Sequence, residues 1–261
     1  MNFIMSPLDE FKTDVNVMLL FGKEFRIVLI KVLGIFCLFL SMILIRIFLV
    51  LREIKTQRQM RRIISSQMNM KRTKTLVVLG SGGHTTEMLH LLSSIQHEEV
   101  YSPIDYIVAS TDTTSVKRIE ALNSSNLGKG KKKMSLPPHQ NIYQIPRSRE
   151  VGQSYLTSIF TTLYSIFYTA HLILFEIQPD LLLINGPGTC LPVALWTFVA
   201  RVLRLSRGNI IFIESFCRVK TLSLTGKILW IMGITDMFMV HWHEVLQKDM
   251  ILLDCFIEHD P

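Results

Sequence analysis

The sequence predicts an α/β protein with a doubly wound parallel sheet, set behind one N-terminal transmembrane helix. Three observations predict it. From Thr75 onward, short apolar bursts rich in β-branched residues alternate with stretches of helical spacing. The first burst, Leu76-Val77-Val78-Leu79, runs into Gly80-Ser81-Gly82-Gly83, after which Met88, Leu91, Leu92 and Ile95 recur at helical spacing. Far upstream, residues 27–51 form an apolar stretch charged only at Lys31 and Arg46.

The apolar stretch comes first in the chain. At a rise of about 1.5 Å per residue it is long enough to cross a hydrocarbon core of ~30 Å. Lys31 and Arg46 lie near its ends, where long cationic side chains reach the interface. Four acids precede it and no small-residue cleavage site follows, which argues against a secretory signal.

The formal net charge of +7 is concentrated in the next segment. The arm 52–74 holds Arg52, Lys55, Arg58, Arg61, Arg62, Lys71, Arg72 and Lys74 against Glu53 alone. A nucleic-acid-binding domain would spread its charge over a recognition face, so no nucleic-acid partner is expected. A basic arm beside a span reads as a cytosolic flank, which places residues 1–26 on the lumenal side.

Strands are predicted at 75–79, 106–110, 141–145, 181–184, 210–213 and 237–240. Helices are predicted at 84–96, 115–122, 154–176, 191–204 and 221–232. Alternation of this kind gives a parallel sheet with helices on both faces. Residues 123–139, with Lys129 and Lys131-Lys132-Lys133, have loop chemistry. The segment 151–175 has no formal charge, with hydroxyls at 154, 157, 158, 161, 162, 165 and 169 on one side and apolar residues on the other. That pattern predicts a helix packed on the core or grazing a membrane rather than a second span. Cys37, Cys190, Cys217 and Cys255 show no metal or redox spacing, and reduced thiols are expected.

Candidate chemistry sits where strands end. Gly80-Ser81-Gly82-Gly83-His84 lacks the third glycine of a dinucleotide fingerprint and the Gly-Lys of a P-loop. What remains is a cradle for a phosphate or diphosphate, with glycines admitting the anion to backbone N–H groups. His84 at the helix start is a candidate general base. Asn185-Gly186-Pro187-Gly188 follows the fourth strand and suggests a tight turn near a ligand. Glu214, after the fifth strand, can bind sugar hydroxyls, position a base or favour a helix N-terminus. Arg147 and Arg149 can clamp a phosphate. His241 and His243 share a strand face without a third ligand, so no metal is expected.

The blocks GSGGHTTEML (80–89), IPRSREV (145–151), INGPGTC (184–190) and ESFCRVKTLSLTGKIL (214–229), behind one span, are similar to a known family. They resemble the membrane-anchor subunit of the UDP-N-acetylglucosamine transferase of dolichol-linked oligosaccharide synthesis, the asparagine-linked glycosylation protein 14 family. That family is similar to the N-terminal half of MurG, a GT-B glycosyltransferase. The resemblance implies a Rossmann-like acceptor-binding domain over 75–243, followed by an atypical tail at 244–261. It implies an endoplasmic-reticulum membrane protein with a cytosolic domain, inactive without a soluble UDP-GlcNAc-binding catalytic subunit. The reaction implied is addition of the second GlcNAc to dolichyl-diphosphate-GlcNAc, with inversion and without a resident cofactor.

Under that resemblance His84 is the first candidate base and Glu214 the second. Gly80, Ser81, Gly82, Gly83, Thr85, Arg147 and Arg149 would hold the acceptor diphosphate. Glu87, Asn185, Gly186, Pro187 and Gly188 would shape the acceptor pocket or the rim facing the partner. Two other functions are open: a recruitment scaffold without a catalytic group, and a self-sufficient lipid-linked sugar transferase. One predicted domain is short for the latter.

Overall fold

The computed structural model describes residues 7–61, 72–93, 101, 103–125, 139–147, 154–247 and 249–253. Its contacts divide the chain into one compact unit ending at Leu49 and a second beginning at Val50. Arg149, the lysine cluster at 129–133 and the tail beyond 253 lie outside the described residues.

Helix α1 (Pro7–Arg61) contains the predicted apolar stretch and extends past it at both ends. Within Val28–Arg58 the most apolar 18-residue window has a mean hydropathy of 2.8 and none of it is buried. Phe25, Ile30, Ile35, Leu38 and Phe48 are all exposed. A helix apolar on every side is stable only in an apolar medium, and this one is long enough to cross a membrane.

In the second unit, the last turns of α1 pack on the sheet domain through buried Val50 and Ile54. Arg58 donates to the Thr235 carbonyl at 2.7 Å and lies 5.5 Å from the Trp230 ring centroid. Buried Arg201 donates twice to Asp236, at 2.9 and 3.0 Å, and reaches Glu53 at 3.4 Å. Asp236 also accepts the Ile210 N–H at 2.8 Å, so this buried charge is fully engaged.

Seven parallel strands follow: β1 (Thr75–Leu79), β2 (Ile104–Ala109), β3 (His139–Ile145), β4 (Leu181–Asn185), β5 (Asn209–Ile213), β6 (Met237–Val240) and β7 (Ile251–Leu252). Their order is β3-β2-β1-β4-β5-β6-β7. The chain builds outward from β1 through β2 to β3, then returns to lay β4 against the other side of β1. This is the predicted doubly wound sheet, with its switch point between β1 and β4. The strands are joined through α2 (Gly83–Ser93), α3 (Thr113–Ser125), α4 (Tyr155–His171), α5 (Cys190–Val202) and α6 (Leu224–Met232). One π-helical turn, Leu172–Ile177, carries α4 down toward β4.

The period of two along β1 explains the two-sided core. Leu76 and Val78 join one apolar cluster with Ile173, Leu182, Ile184, Val193 and Phe212. Val77 and Leu79 join the other with Met88, Leu92, Tyr106, Val108 and Leu183. A strand buried on both faces reads as an unbroken apolar run, as this one does.

Several features depart from the predicted elements: β3 begins at His139 rather than 141, α3 runs over Thr113–Ser125 rather than 115–122 and so takes in the start of the predicted loop, and α6 begins at Leu224 rather than 221. β2 begins two residues earlier than predicted because Asp105 is buried in it, accepting the backbone N–H and side-chain amide of Asn141 at 3.1 and 3.2 Å. The predicted helix 84–96 begins at Gly83. The short β7, paired with β6 at Met239–Ile251 and Val240–Leu252, lies in the apolar run Met250-Ile251-Leu252-Leu253, within the segment predicted as the atypical tail.

Candidate active site

The carboxyl ends of β1 and β4 diverge at the switch point, and a cleft of ≈ 390 Å³ opens there. Its lining includes Gly80, Ser81, Arg147, Gly186, Pro187, Gly188, Thr189, Arg218, Ser223, Leu224 and Thr225. Among the described residues that line it, Arg147 and Arg218 are the charged ones, with no carboxylate beside them. A second hollow, sharing Arg218, is lined by Gly83, His84, Glu87, Ser215 and Cys217.

The glycines serve close approach. A Cβ on Gly80 would lie 2.7 Å from Pro187 Cγ and 2.8 Å from His84 Cβ. Gly186, at φ +49°, would set a Cβ 3.0 Å from the His84 ring. The β1 and β4 turns are therefore pressed together around His84. Asn185 adds a side-chain N–H to the His84 carbonyl at 2.8 Å, which explains a polar residue at the buried end of β4.

Beneath the loop, Thr85 is fully buried, its hydroxyl bonded to the Gly80 carbonyl and 2.6 Å from Ser115 Oγ. Its hydroxyl braces the turn rather than facing the cleft. Arg118 holds the outer side, donating to the Gly82 carbonyl at 3.0 Å and to Thr86 at 2.6 Å. Gly82 takes φ +65°, the left-handed conformation that starts α2. Arg147 crosses from the end of β3 to donate to Ser81 Oγ at 2.6 Å.

His84 is partly exposed, with Nδ1 buried, without a hydrogen-bond partner and 3.7 Å from Glu87 Oε2. Glu87 Oε1 accepts the Ser215 hydroxyl at 3.0 Å. Burial alone would raise the Glu87 carboxyl, but His84 and Ser215 beside it outweigh burial and hold it below the usual carboxylate range. His241 is moved the other way by burial, which lowers it, while Glu87 partly opposes the shift.

Glu214 differs from the candidate base that its position suggests. It is buried, Oε1 accepts the Ser215 N–H at 3.1 Å, and Oε2 accepts the N–H and hydroxyl of Ser223 at 2.8 and 3.0 Å. Ser223 in turn caps α6 by accepting the Gly226 N–H at 3.0 Å. Glu214 thus fastens the α6 N-terminus to the end of β5, with both its oxygens engaged by three donors.

The structure brings Gly80, Ser81, Arg147, Gly186, Pro187 and Gly188 to the cleft, and Gly83, His84 and Glu87 to the adjoining hollow. Gly82, Thr85, Asn185 and Glu214 support these walls from behind. Arg218 and the α6 start were not singled out as site residues, although Ser223 two residues before a Thr-Gly-Lys run is a legible helix cap. Three helix N-termini, those of α2, α5 and α6, open at this rim; at α5 the Cys190 and Leu191 N–H groups donate to the Pro187 and Gly188 carbonyls, and at α6 the Gly226 N–H is taken by Ser223. Among the described residues no three His, Cys, Asp or Glu side chains come together as a metal-holding group.

A doubly wound parallel domain with an arginine-lined crevice at its switch point, following an apolar helix long enough to span a membrane, defines the class of this protein. Within it, residues 75–252 match the family described as "Oligosaccharide biosynthesis protein Alg14 like". The chain belongs to the Alg14 family.

Relatives named "UDP-N-acetylglucosamine transferase subunit ALG14" include one from Mus musculus, 42% identical over 175 residues, covering 67% of this chain and 78% of the relative. One from Homo sapiens is 42% identical over 173 residues, covering 66% and 77%. One from Schizosaccharomyces pombe is 40% identical over 176 residues, again covering 66% and 77%. Among solved structures, Acinetobacter baumannii MurG matches with a TM-score of 0.46 at 15% identity, covering 69% of this chain and 45% of that one.

Proposed function

We propose that this chain is the membrane-anchored, acceptor-binding subunit of a two-chain transferase that moves GlcNAc from UDP-GlcNAc to dolichyl-diphosphate-GlcNAc. A soluble subunit would bring the donor, and the cleft described above would hold the acceptor. The relatives' name supplies the transferase and the word subunit. The observation that carries the acceptor role is the cleft itself: two guanidinium groups, a glycine turn and helix N-termini, with no carboxylate among its lining residues. Such a lining suits a diphosphate.

Transfer with inversion removes a proton from the acceptor hydroxyl as its oxygen attacks the anomeric carbon and UDP departs. His84 takes that proton as a neutral imidazole, and the ionised Glu87 stabilises the imidazolium that results. Arg147 and Arg218 hold the diphosphate so that the sugar lies toward His84. Glu214 acts through structure, keeping the α6 rim in place. The domain lies on the cytosolic side of the endoplasmic-reticulum membrane, with residues 1–26 lumenal, as the basic arm after the span favours.

The test is His84→Ala in the complex reconstituted with its soluble partner. Transfer should fall about 10²–10⁴-fold while the partner still co-purifies. Full activity of that variant would sink the catalytic role and leave a recruitment scaffold. Activity of the chain without a partner would instead establish a self-sufficient enzyme.

A further inference from the structure

Helix α4 is amphipathic in the direction opposite to that of a helix on a water-facing surface. In its second half two hydroxyls are sealed inward: Ser165 and Thr169 are both 0% exposed, while Ser154 and Thr157 at its start are exposed. Ser165 donates to the Pro146 carbonyl at 2.9 Å, and Thr169 donates back along the helix to the Ser165 carbonyl at 2.7 Å. Trp196 of α5 pins the same side by donating to the Ile166 carbonyl at 2.6 Å. The outward side carries Leu156, Ile159, Phe160, Leu163, Tyr164 and Phe167, with Leu156, Phe160 and Phe167 exposed to 77%, 75% and 74%. From 154 to 175 there is no Lys, Arg, Asp or Glu. Contiguous apolar surface of this kind is covered by something when the protein works.

We propose that a phospholipid bilayer covers it, with α4 lying in the plane of the interface. The same chain carries an apolar helix long enough to span a membrane, so a bilayer is part of its surroundings. The α4 face has no charges to match against a protein partner, and its tyrosines suit the headgroup boundary. α4 does not cross the bilayer. Its inner side is packed on the domain, and its continuation sends Leu172, Ile173 and Ile177 into the core. The exposed His171–Glu176 pair, at 3.1 Å, marks the return to water.

The placement also connects the lipid to the cleft. Ser165 of α4 holds the Pro146 carbonyl, and the next residue, Arg147, reaches into the glycine turn. A diphosphate seated at Arg147 would leave its polyprenyl tail along the outer face of α4. That second step rests on the acceptor role proposed above; the bilayer contact does not.

The experiment incorporates p-benzoylphenylalanine at Phe160 or Phe167 of the full chain, reconstituted in vesicles of phosphatidylcholine and phosphatidylinositol. Lys117, exposed on α3, is the control position. Illumination should give lipid adducts at 160 and 167 well above the level at 117. Adducts to a protein chain, or lipid adducts no more abundant than at 117, would overturn the bilayer assignment. Lipid adducts in a chain without transferase activity in its reconstituted complex would support that assignment and count against the proposed function instead. In the active complex, Phe160→Ser with Phe167→Ser should raise KM for the polyprenyl-linked acceptor about tenfold, leaving a short-chain soluble acceptor unaffected. An unchanged KM would overturn the path of the tail along α4.

Discussion

The turn after β1 and the turn after β5 both end at the cleft, and they are built on opposite plans. The β1 turn is made of backbone. Gly80 brings the chain close to Pro187 and His84, and Gly82 and Gly83 carry it in open space into α2. The β5 turn is made around a side chain: Glu214 is buried beneath it and gathers three donors from Ser215 and Ser223. Two carboxylates at this site consequently have different chemistry. Glu87 stands beside an imidazole with a nitrogen to spare, whereas Glu214 is sealed into a helix cap. Position at a strand end is shared; what donates to the oxygens decides the role.

The comparison can be broken most severely at Gly80. Gly80→Val puts side-chain atoms where Pro187 and His84 already sit, and transfer should drop by at least about 100-fold. Activity within a few-fold of the original would show that the turn is not held by close approach. At Glu214 the effect should fall on stability. Glu214→Ala leaves three buried donors without an acceptor and should cost about 2–4 kcal/mol in denaturant unfolding of the detergent-solubilised protein. Glu214→Gln, which keeps one acceptor oxygen, should recover part of that loss; a normal midpoint with lost transfer would restore Glu214 as a base.

Glu87→Gln should do the reverse, leaving the unfolding midpoint near its original value and lowering transfer about tenfold through loss of the charge beside His84. The smallest effect is on pH. His241 is lowered in the fold, so below its ordinary value near 6.5 the unfolded chain binds the proton first and stability declines with acid. Glu87 is also lowered, so its contribution is present above about 4.5 and is lost as pH falls through its depressed value. His241→Gln should flatten the upper part of this acid decline and leave the lower part, as read by unfolding midpoints across the range.

Much of this arrangement was legible in the sequence because it depends on local patterns. The run 76–79 is apolar on both faces and could only be an inner strand, and Met237–Val240 likewise. The glycine turn announced itself by composition. Asp105 hid the start of β2, since a carboxylate inside a strand becomes understandable only when Asn141 is seen across from it. Arg218 and Ser223 entered the cleft through strand order: β5 lies beside β4, which brings the α6 start to face the β1 turn. No local pattern carries that adjacency. The hydroxyls of α4 were visible as a stripe, but which side faced the core was decided by the bonds of Ser165 and Trp196.

The crowding at Gly80 and Gly186 bears on how such a site can change over generations. The glycines of this rim offer no side chain to exchange: a methyl group on Gly80 would collide with Pro187 and His84, and Gly186 holds a φ of +49° that side-chain-bearing residues rarely adopt. On the acceptor role proposed above, variation in acceptor preference would arise on the facing rim, where Leu224 is exposed and Thr225 and Arg218 line the cleft. One wall of the cleft is closed to drift and the other open. A library confined to 218, 224 and 225 is where altered substrate choice would be sought first.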